Sequence, residues 1–232
     1  MHVSSLFDLF DLTSGTVPST VITMEGARGA TRSSGRGVTE LVDHARAGDP
    51  VAVGELFRTH LRGVHRVVYR LIGRSPDVDD LVQMVFIEAF RSLGGFRGDA
   101  LFSTWLTRIA VRVTMRALKQ RRQTQAATAW PDTDGHIGDL AGSSPSPERM
   151  VAAREGLRVL DGLLAELRPK RRAAFVLHVL EGHPMDEVAA ILNVSTAAVK
   201  VRVHDARRHI ERRVLADPAL ADALAHAREG QA

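Results

Sequence analysis

The chain has 232 residues, with 31 Lys and Arg against 27 Asp and Glu, and no cysteine. This length allows one or two domains with hydrophobic cores, and the lack of cysteine excludes disulfides and thiolate metal sites. The sequence shows no signal-peptide layout. It also has no apolar run near the ~20 residues that span a membrane, so we expect a cytoplasmic protein. The net charge is only +4. Because the overall charge is small, local clusters of cations indicate a nucleic-acid partner rather than non-specific electrostatic binding.

Residues 1–37 are predicted to form a flexible N-terminal tail, because residues 26–37, GARGATRSSGRG, show no helical period. A phosphate-binding glycine loop is the alternative, but it needs a preceding strand and a GK[ST] ending, and this stretch has neither. The helical period begins at Thr39.

A helical body is predicted over residues 38–122. Its long helix is stopped by the turn formers of residues 73–76. The apolar residues that mark this helix are Val53, Leu56, Phe57, Leu61, Val64, Val68 and Leu71. Acidic residues from Asp77 onward open the next helix, over 78–93, where negative charge suits the N-terminus. The apolar band of this second helix is wider than one core face needs, which indicates either a partner surface or a helix buried on all sides.

A glycine loop with an aromatic residue, over 94–99, precedes a basic helix over 102–122. The cations of this helix are Arg108, Arg112, Arg116, Lys119, Arg121 and Arg122. The combination suits single-stranded DNA, because cations follow phosphates and the loop leaves room for a displaced base. The alternative is a solvated arginine-rich face with Trp105 in the core.

Residues 123–147 contain polar residues, glycine and the run SSPSP, and they are predicted to be a linker. A second helical body is predicted over 148–215, followed by a C-terminal tail over 216–232. The leucines of 157–167 predict one helix that ends near Pro169. Residues 171–181 predict another, ended by Gly182.

The stretch 185–208, MDEVAAILNVSTAAVKVRVHDARR, is typical of a helix-turn-helix. Asn193 and Val194 break the helical period, and Ser195 is a good N-cap for the second helix. The inner stripe of that helix is Val199, Val203, Ala206 and Ile210. The opposite face carries Ala197, Val201, His204 and Arg208, flanked by Lys200, Arg202 and Arg207. Such a helix suits a DNA major groove, and an ordinary hairpin with a solvated basic face is the alternative.

The chain carries no recognisable catalytic motif: it lacks a nucleophile elbow, a Walker loop and an HExxH sequence. Its paired histidines lie five residues apart, a spacing that does not place both rings on one helix face. These pairs are His60 with His65, His178 with His183, and His204 with His209. We therefore expect no cofactor, no metal and no enzymatic activity.

The two helical bodies together resemble the ECF (extracytoplasmic function, group 4) sigma factors of bacterial RNA polymerase, in the sigma-70 family. Residues 77–110 match the pattern of sigma region 2, which is D-x-E-D-L-V-Q-x-x-F, then F-R, then F-x-x-W-L-x-R-I-A. Residues 167–207 resemble region 4, with matches to its E-I/V-A and V-K-x-R-x-x-x-A-R signatures. The resemblance covers most of residues 40–213, and nothing between the two blocks looks like the extra domains of housekeeping factors.

This resemblance implies an all-α protein of two small helical domains, region 2 and region 4, joined by a flexible linker. Region 2 would bind the β′ clamp helices of core polymerase through Asp77, Asp80, Leu81, Gln83 and Phe86. It would melt and read the −10 element with Phe96, Arg97, Asp99, Trp105, Arg108, Arg112, Arg116 and Lys119. Region 4 would bind the β flap and read the −35 duplex with Thr196, Ala197, Lys200, Val201, Arg202, His204, Asp205, Arg207 and Arg208.

Four positions depart from the family pattern. Arg112 and Arg116 replace the commoner Asn and Asp, while Val201 and Asp205 replace the commoner Ser and Arg or Lys. A promoter sequence therefore cannot be transferred from relatives.

The resemblance also implies an anti-sigma partner that clamps the two domains together, often at the inner membrane. Two rival interpretations stay open at this point: a helix-turn-helix regulator with an unrelated N-terminal domain, and a helical enzyme or adaptor that binds phosphates. The basic block 96–122 argues against the first, and the missing catalytic motifs argue against the second.

Overall fold

The computed structural model describes residues 27–125 and 147–221, with side chains over 37–123 and 155–221. Within these ranges every regular element is helical and there is no strand, which confirms the all-α prediction. The described residues divide into two compact units. The first unit contains 27–69 and 76–125, and the second contains 70–75 and 147–221. Within the described part of the chain, no helix is long and apolar enough to cross a membrane.

The first unit is built from four helices, and its core lies along the predicted apolar stripes. They are α1 (Ala27–Arg46), α2 (Pro50–Ile72), α3 (Val78–Ser92) and α4 (Phe102–Gln125), with a short 3-10 turn at Leu93–Gly95. Leu56, Val64 and Val68 of α2 are all buried. The helix ends where the turn formers predicted, since Gly73 adopts φ +82°, a conformation that costs glycine little.

Helix α1 corrects the predicted tail, because it begins at Ala27 and includes residues placed in the flexible segment. The stretch 27–46 contains no proline, so nothing in it forbids a helix. Val42 and Ala45 anchor the C-terminal half of α1 in the core. Once that half is fixed, each further residue adds one hydrogen bond, and weak intrinsic propensity is overridden. Residues 1–26 of the predicted tail lie outside the described residues.

The second unit contains α5 (Pro147–Glu166), α6 (Pro169–Phe175), a π-helical turn (Val176–Leu180), α7 (Met185–Leu192) and α8 (Thr196–Ala216). Its core is formed by fully buried side chains of several helices, among them Leu163, Phe175, Val188 and Ile210. The predicted helix over 171–181 is present as α6 and the π turn, and it ends at Gly182 with φ +74°.

The predicted linker is shorter at both ends than residues 123–147, because α4 continues to Gln125 and α5 begins at Pro147. Residues 126–146 lie outside the described residues. The same holds for most of the predicted C-terminal tail, of which the structure describes only 216–221.

Candidate nucleic-acid interface

The helix-turn-helix forms as the local sequence predicts. Asn193 ends α7 in the left-handed conformation, with φ 51° and ψ 56°, a region that Asn tolerates better than most residues. The next residue, Val194, donates its backbone N–H to the carbonyl of Ala189 at 3.0 Å. Ser195 then caps α8, since its hydroxyl accepts the backbone N–H of Ala198 at 3.2 Å. These bonds fix the angle at which α8 leaves the turn.

Helix α8 turns a polar and basic face to solvent, opposite its buried stripe. Val199, Val203 and Ile210 are buried, as predicted for the inner stripe of this helix. The exposed residues of the predicted reading set are Thr196, Ala197, Lys200, Val201, His204 and Arg208, and Arg202 and Arg207 are half-buried at its margin. Val201 lies on the same face and is 60% exposed.

Asp205, one of the predicted readers, has a carboxylate that is already engaged in an ion pair. Its Oδ2 lies 2.8 Å from Nη2 of Arg171, near the start of α6. The pair lines an open surface groove together with Arg208 and Arg212. Sequence reasoning missed Arg171 and Arg212, since nothing local shows that α6 brings a guanidinium to this part of α8.

The predicted −10 cations of α4 are exposed, but two of them have a partner within the unit. Arg108, Arg112, Arg116 and Lys119 all face solvent. Glu88 of α3 accepts a hydrogen bond from Arg112 and lies 4.0 Å from Nη1 of Arg116. The basic face of α4 is therefore partly neutralised by one carboxylate.

The loop after α3 rests on an aromatic cluster formed by Phe96, Phe102 and Trp105, whose ring centroids are 5.4–5.5 Å apart. Trp105 is only half-buried and Phe96 is partly exposed, so the cluster reaches the surface. The predicted loop residues Arg97 and Asp99 are exposed beside it.

Two residues outside the predicted site sets contact this region. Arg46 donates from Nε to the carbonyl of Leu93 at 3.1 Å and also bonds the carbonyl of Phe96. The ring of His60 lies 5.0 Å from that of Phe102. Its Nε2 is buried without a hydrogen-bond partner in the described part of the chain, and burial lowers the pKa of His60 from its ordinary value of 6.5.

The predicted polymerase-binding residues of α3 divide into three kinds. Asp80 and Gln83 are exposed. Leu81 and Phe86 are buried at 5% and 4% exposure, so their side chains belong to the core and offer no free surface. Asp77 binds Arg121 of α4 and makes no side-chain cap to α3.

Two residues that the prediction left out complete the exposed side of α3. Met84 is 49% exposed and Ile87 is 43% exposed. The wide apolar band thus has a buried part and an outward part. Within the described residues, no group of three or more His, Asp or Glu side chains could hold a metal ion.

Comparison with known proteins agrees with this architecture. The family profile of sigma-70 region 2 matches residues 56–124, and that of sigma-70 region 4 matches residues 157–210. The ECF RNA polymerase sigma-E factor of Escherichia coli (strain K12) is 31% identical over 177 residues, which cover 75% of this chain and 92% of that protein. The RNA polymerase sigma-H factor of Pseudomonas aeruginosa is 28% identical over 176 residues, covering 75% and 91% respectively.

The chain therefore belongs to the sigma-70 family of transcription initiation factors, in its ECF group. Solved structures share the fold. CnrH in complex with the cytosolic domain of CnrY matches with a TM-score of 0.55 and 26% identity, over 76% of this chain and 96% of that chain. The sigma factor RpoE in complex with the anti-sigma factor NepR, from Bartonella quintana, matches with a TM-score of 0.56 and 17% identity, over 71% and 97%.

Proposed function

We propose that this sigma factor directs core RNA polymerase to its promoters by reading the −35 duplex with α8 and opening the −10 element with α4 and the preceding loop. The observation that carries the −35 part is the exposed face of α8. It presents Lys200, Val201 and His204 on one side of a helix whose start is fixed by the Ser195 cap. A helix placed in the major groove reads base edges with side chains so arranged.

The −10 part is supported by the aromatic cluster and the cations that adjoin it in sequence. Phe96 and Trp105 reach the surface at the loop, and aromatic rings stack on bases that have left the duplex. Arg108 and Lys119 supply exposed positive charge along α4 for the phosphates of a single strand.

Core polymerase is proposed to bind the outward side of α3. Asp80, Gln83, Met84 and Ile87 are exposed there, and exposed apolar side chains with polar neighbours are typical of protein-binding surfaces. The polymerase surface proposed here replaces the buried Leu81 and Phe86 with Met84 and Ile87.

An anti-sigma partner is proposed as the regulator. CnrH was solved bound to a part of another protein, and RpoE, which shares the fold, was solved bound to an anti-sigma factor. We expect such a partner to compete with core polymerase for this chain, and to keep the factor inactive in the cytoplasm or at the inner membrane. Simultaneous binding of both proteins to one chain would contradict this.

The deciding experiment is run-off transcription with core polymerase, with and without the full chain. Promoters are first selected from random sequence by the reconstituted holoenzyme. His204→Ala is then expected to lose ~1–3 kcal/mol of the free energy that discriminates between bases at one base pair of the −35 element. The control, Glu155→Gln, changes an exposed residue on α5 and should leave transcription unchanged. A chain that supports no initiation on any selected template would refute the proposed function.

A further inference from the structure

The carboxylate of Asp205 on α8 does not point freely into solvent. Its Oδ2 is 2.8 Å from Nη2 of Arg171, and the two side chains are 35% and 42% exposed. Arg208 and Arg212 line the same groove. The groove thus holds three guanidinium groups and one carboxylate.

We propose that Asp205 is a positioning residue that holds Arg171 beside Arg208 and Arg212, so that the three guanidinium groups bind one backbone phosphate of the −35 duplex. In this inference Asp205 contacts no base. The inference rests on the proposed function only in taking duplex DNA as the ligand.

The charges of the groove favour an anion over a base edge. Three arginines facing one carboxylate leave a surplus of two positive charges, which a phosphate would neutralise. Arg212 donates from Nε to the carbonyl of Arg208 at 3.2 Å, which holds its side chain along the helix that lines the groove. A guanidinium presents its donors in a planar fork that matches phosphate oxygens.

The position of the groove also fits a phosphate. Arg208 and Arg212 lie three and seven residues after Asp205, on one side of α8. Arg208 belongs to the outer face of the helix as well as to the groove. A helix lying in the major groove has the base edges in front of it and the phosphates of the two strands at its sides, so one strand would pass along this groove.

An unpaired Asp205 in this place would repel the phosphate, whereas a paired one does not. A carboxylate that reads a base would accept a hydrogen bond from the cytosine amino group. The contact with Arg171 draws Oδ2 toward α6, and a base contact that broke this pair would place an uncompensated negative charge beside the DNA backbone. Holding Arg171 gives the opposite result, since it brings a cation from another helix to the phosphate.

The test is a double-mutant cycle on the full chain, with binding to a duplex measured over a range of salt concentrations. Both a selected −35 duplex and a scrambled duplex are used. Arg171→Ala is expected to weaken binding to both about 10-fold, the loss of one charge-assisted contact, and to reduce the salt slope by about 0.9, the value for one phosphate. Asp205→Asn is expected to weaken both about 2- to 5-fold, as for an exposed ion pair, and to cause no further loss once Arg171 is Ala.

The control is Glu155→Gln, which removes an exposed carboxylate outside the groove and should leave both affinities and the salt slope unchanged. Circular dichroism of each variant keeps loss of fold apart from loss of contact. In a second arm, single methylphosphonate linkages are scanned along the duplex. One position should weaken the binding of the wild-type chain more than that of Arg171→Ala, in which only Arg208 and Arg212 are left to bind that phosphate.

The inference is overturned if Asp205→Asn alters preference at one base pair while the salt slope stays constant. It is also overturned if the two substitutions add independently, or if Asp205→Asn strengthens binding in the wild-type background. Failure of the proposed function looks different: the wild-type chain would not distinguish selected from scrambled duplex, yet the cycle on either duplex would still report whether Arg171 and Asp205 act together on a phosphate.

Discussion

Substitutions at Ser195, the N-cap of α8, should separate the effect of this residue on stability from its effect on DNA binding. Ser195 accepts the N–H of Ala198 at 3.2 Å, and this bond satisfies one of the donors that a helix start leaves unpaired. Ser195→Ala should lower the free energy of unfolding by ~1 kcal/mol. For a unit of this size, that corresponds to a fall in the melting temperature of roughly 4–8 °C.

Two further substitutions at the same position keep the cap but differ in charge. Ser195→Asn retains a side-chain acceptor and should retain stability. Ser195→Asp also caps, and its charge favours the helix N-terminus, so it should melt no lower than Asn. Because Thr196, Ala197 and Lys200 are exposed just beyond the cap, the added negative charge should face DNA and weaken duplex binding several-fold.

The measurement pairs thermal unfolding with duplex binding for the three variants. Asn should preserve both properties, Ala should lose stability and part of the affinity, and Asp should lose affinity alone. If Asn destabilises the chain as much as Ala, the hydroxyl bond is not what fixes the start of α8. If Asp binds the duplex as well as Asn, the N-terminus of α8 does not face DNA.

Three other outcomes follow from the first unit. Ile87→Glu should weaken binding to core polymerase at least 10-fold, because it places a charge in the proposed interface. The control Leu215→Glu, at a side chain 69% exposed in the second unit, should leave this binding unchanged. Equal effects of the two substitutions in a pull-down titration would argue against the α3 surface. His60 has a pKa lowered by burial, so the unfolded chain protonates first and the free energy of unfolding should fall as pH drops below 6.5. His60→Leu should remove that part of the pH dependence in urea titrations, and an unchanged profile would count against it. Arg46→Met frees the carbonyls of Leu93 and Phe96 and should slow open-complex formation, read by permanganate footprinting, without altering −35 duplex affinity.

Much of the fold could be predicted because its determinants are local. The apolar period places α2, α3, α4 and the two helices of the helix-turn-helix, and the turn residues Gly73, Gly182 and Asn193 end helices where the sequence indicates. The start of α1 could not be predicted in this way. Residues 27–36 have no period of their own, and their helix is an extension of a segment anchored in the core.

The candidate site was only partly predictable, since its corrections come from contacts between distant residues. Asp77 and Arg121 are 44 residues apart, and Asp205 and Arg171 meet only because α6 packs against α8. The apolar band of α3 likewise predicts that some residues face outward. Only the packing of the first unit shows that Ile87 does so and Phe86 does not.

Glu88 gives the chain a counter-ion of its own, with a consequence for how ionic strength affects the basic helix α4. Its carboxylate bonds Arg112 and approaches Arg116, so a phosphate that binds these arginines competes with a carboxylate that belongs to the chain and never diffuses away. A displaced Glu88 attracts a cation from solution, which offsets one of the cations that the DNA releases. The single-stranded affinity of this helix should therefore depend less steeply on salt than its number of arginines implies. Because Glu88 offsets part of the charge of α4, non-specific binding of DNA at low salt should be weaker than its arginines alone imply. The arginines stay exposed to a single strand of opened DNA.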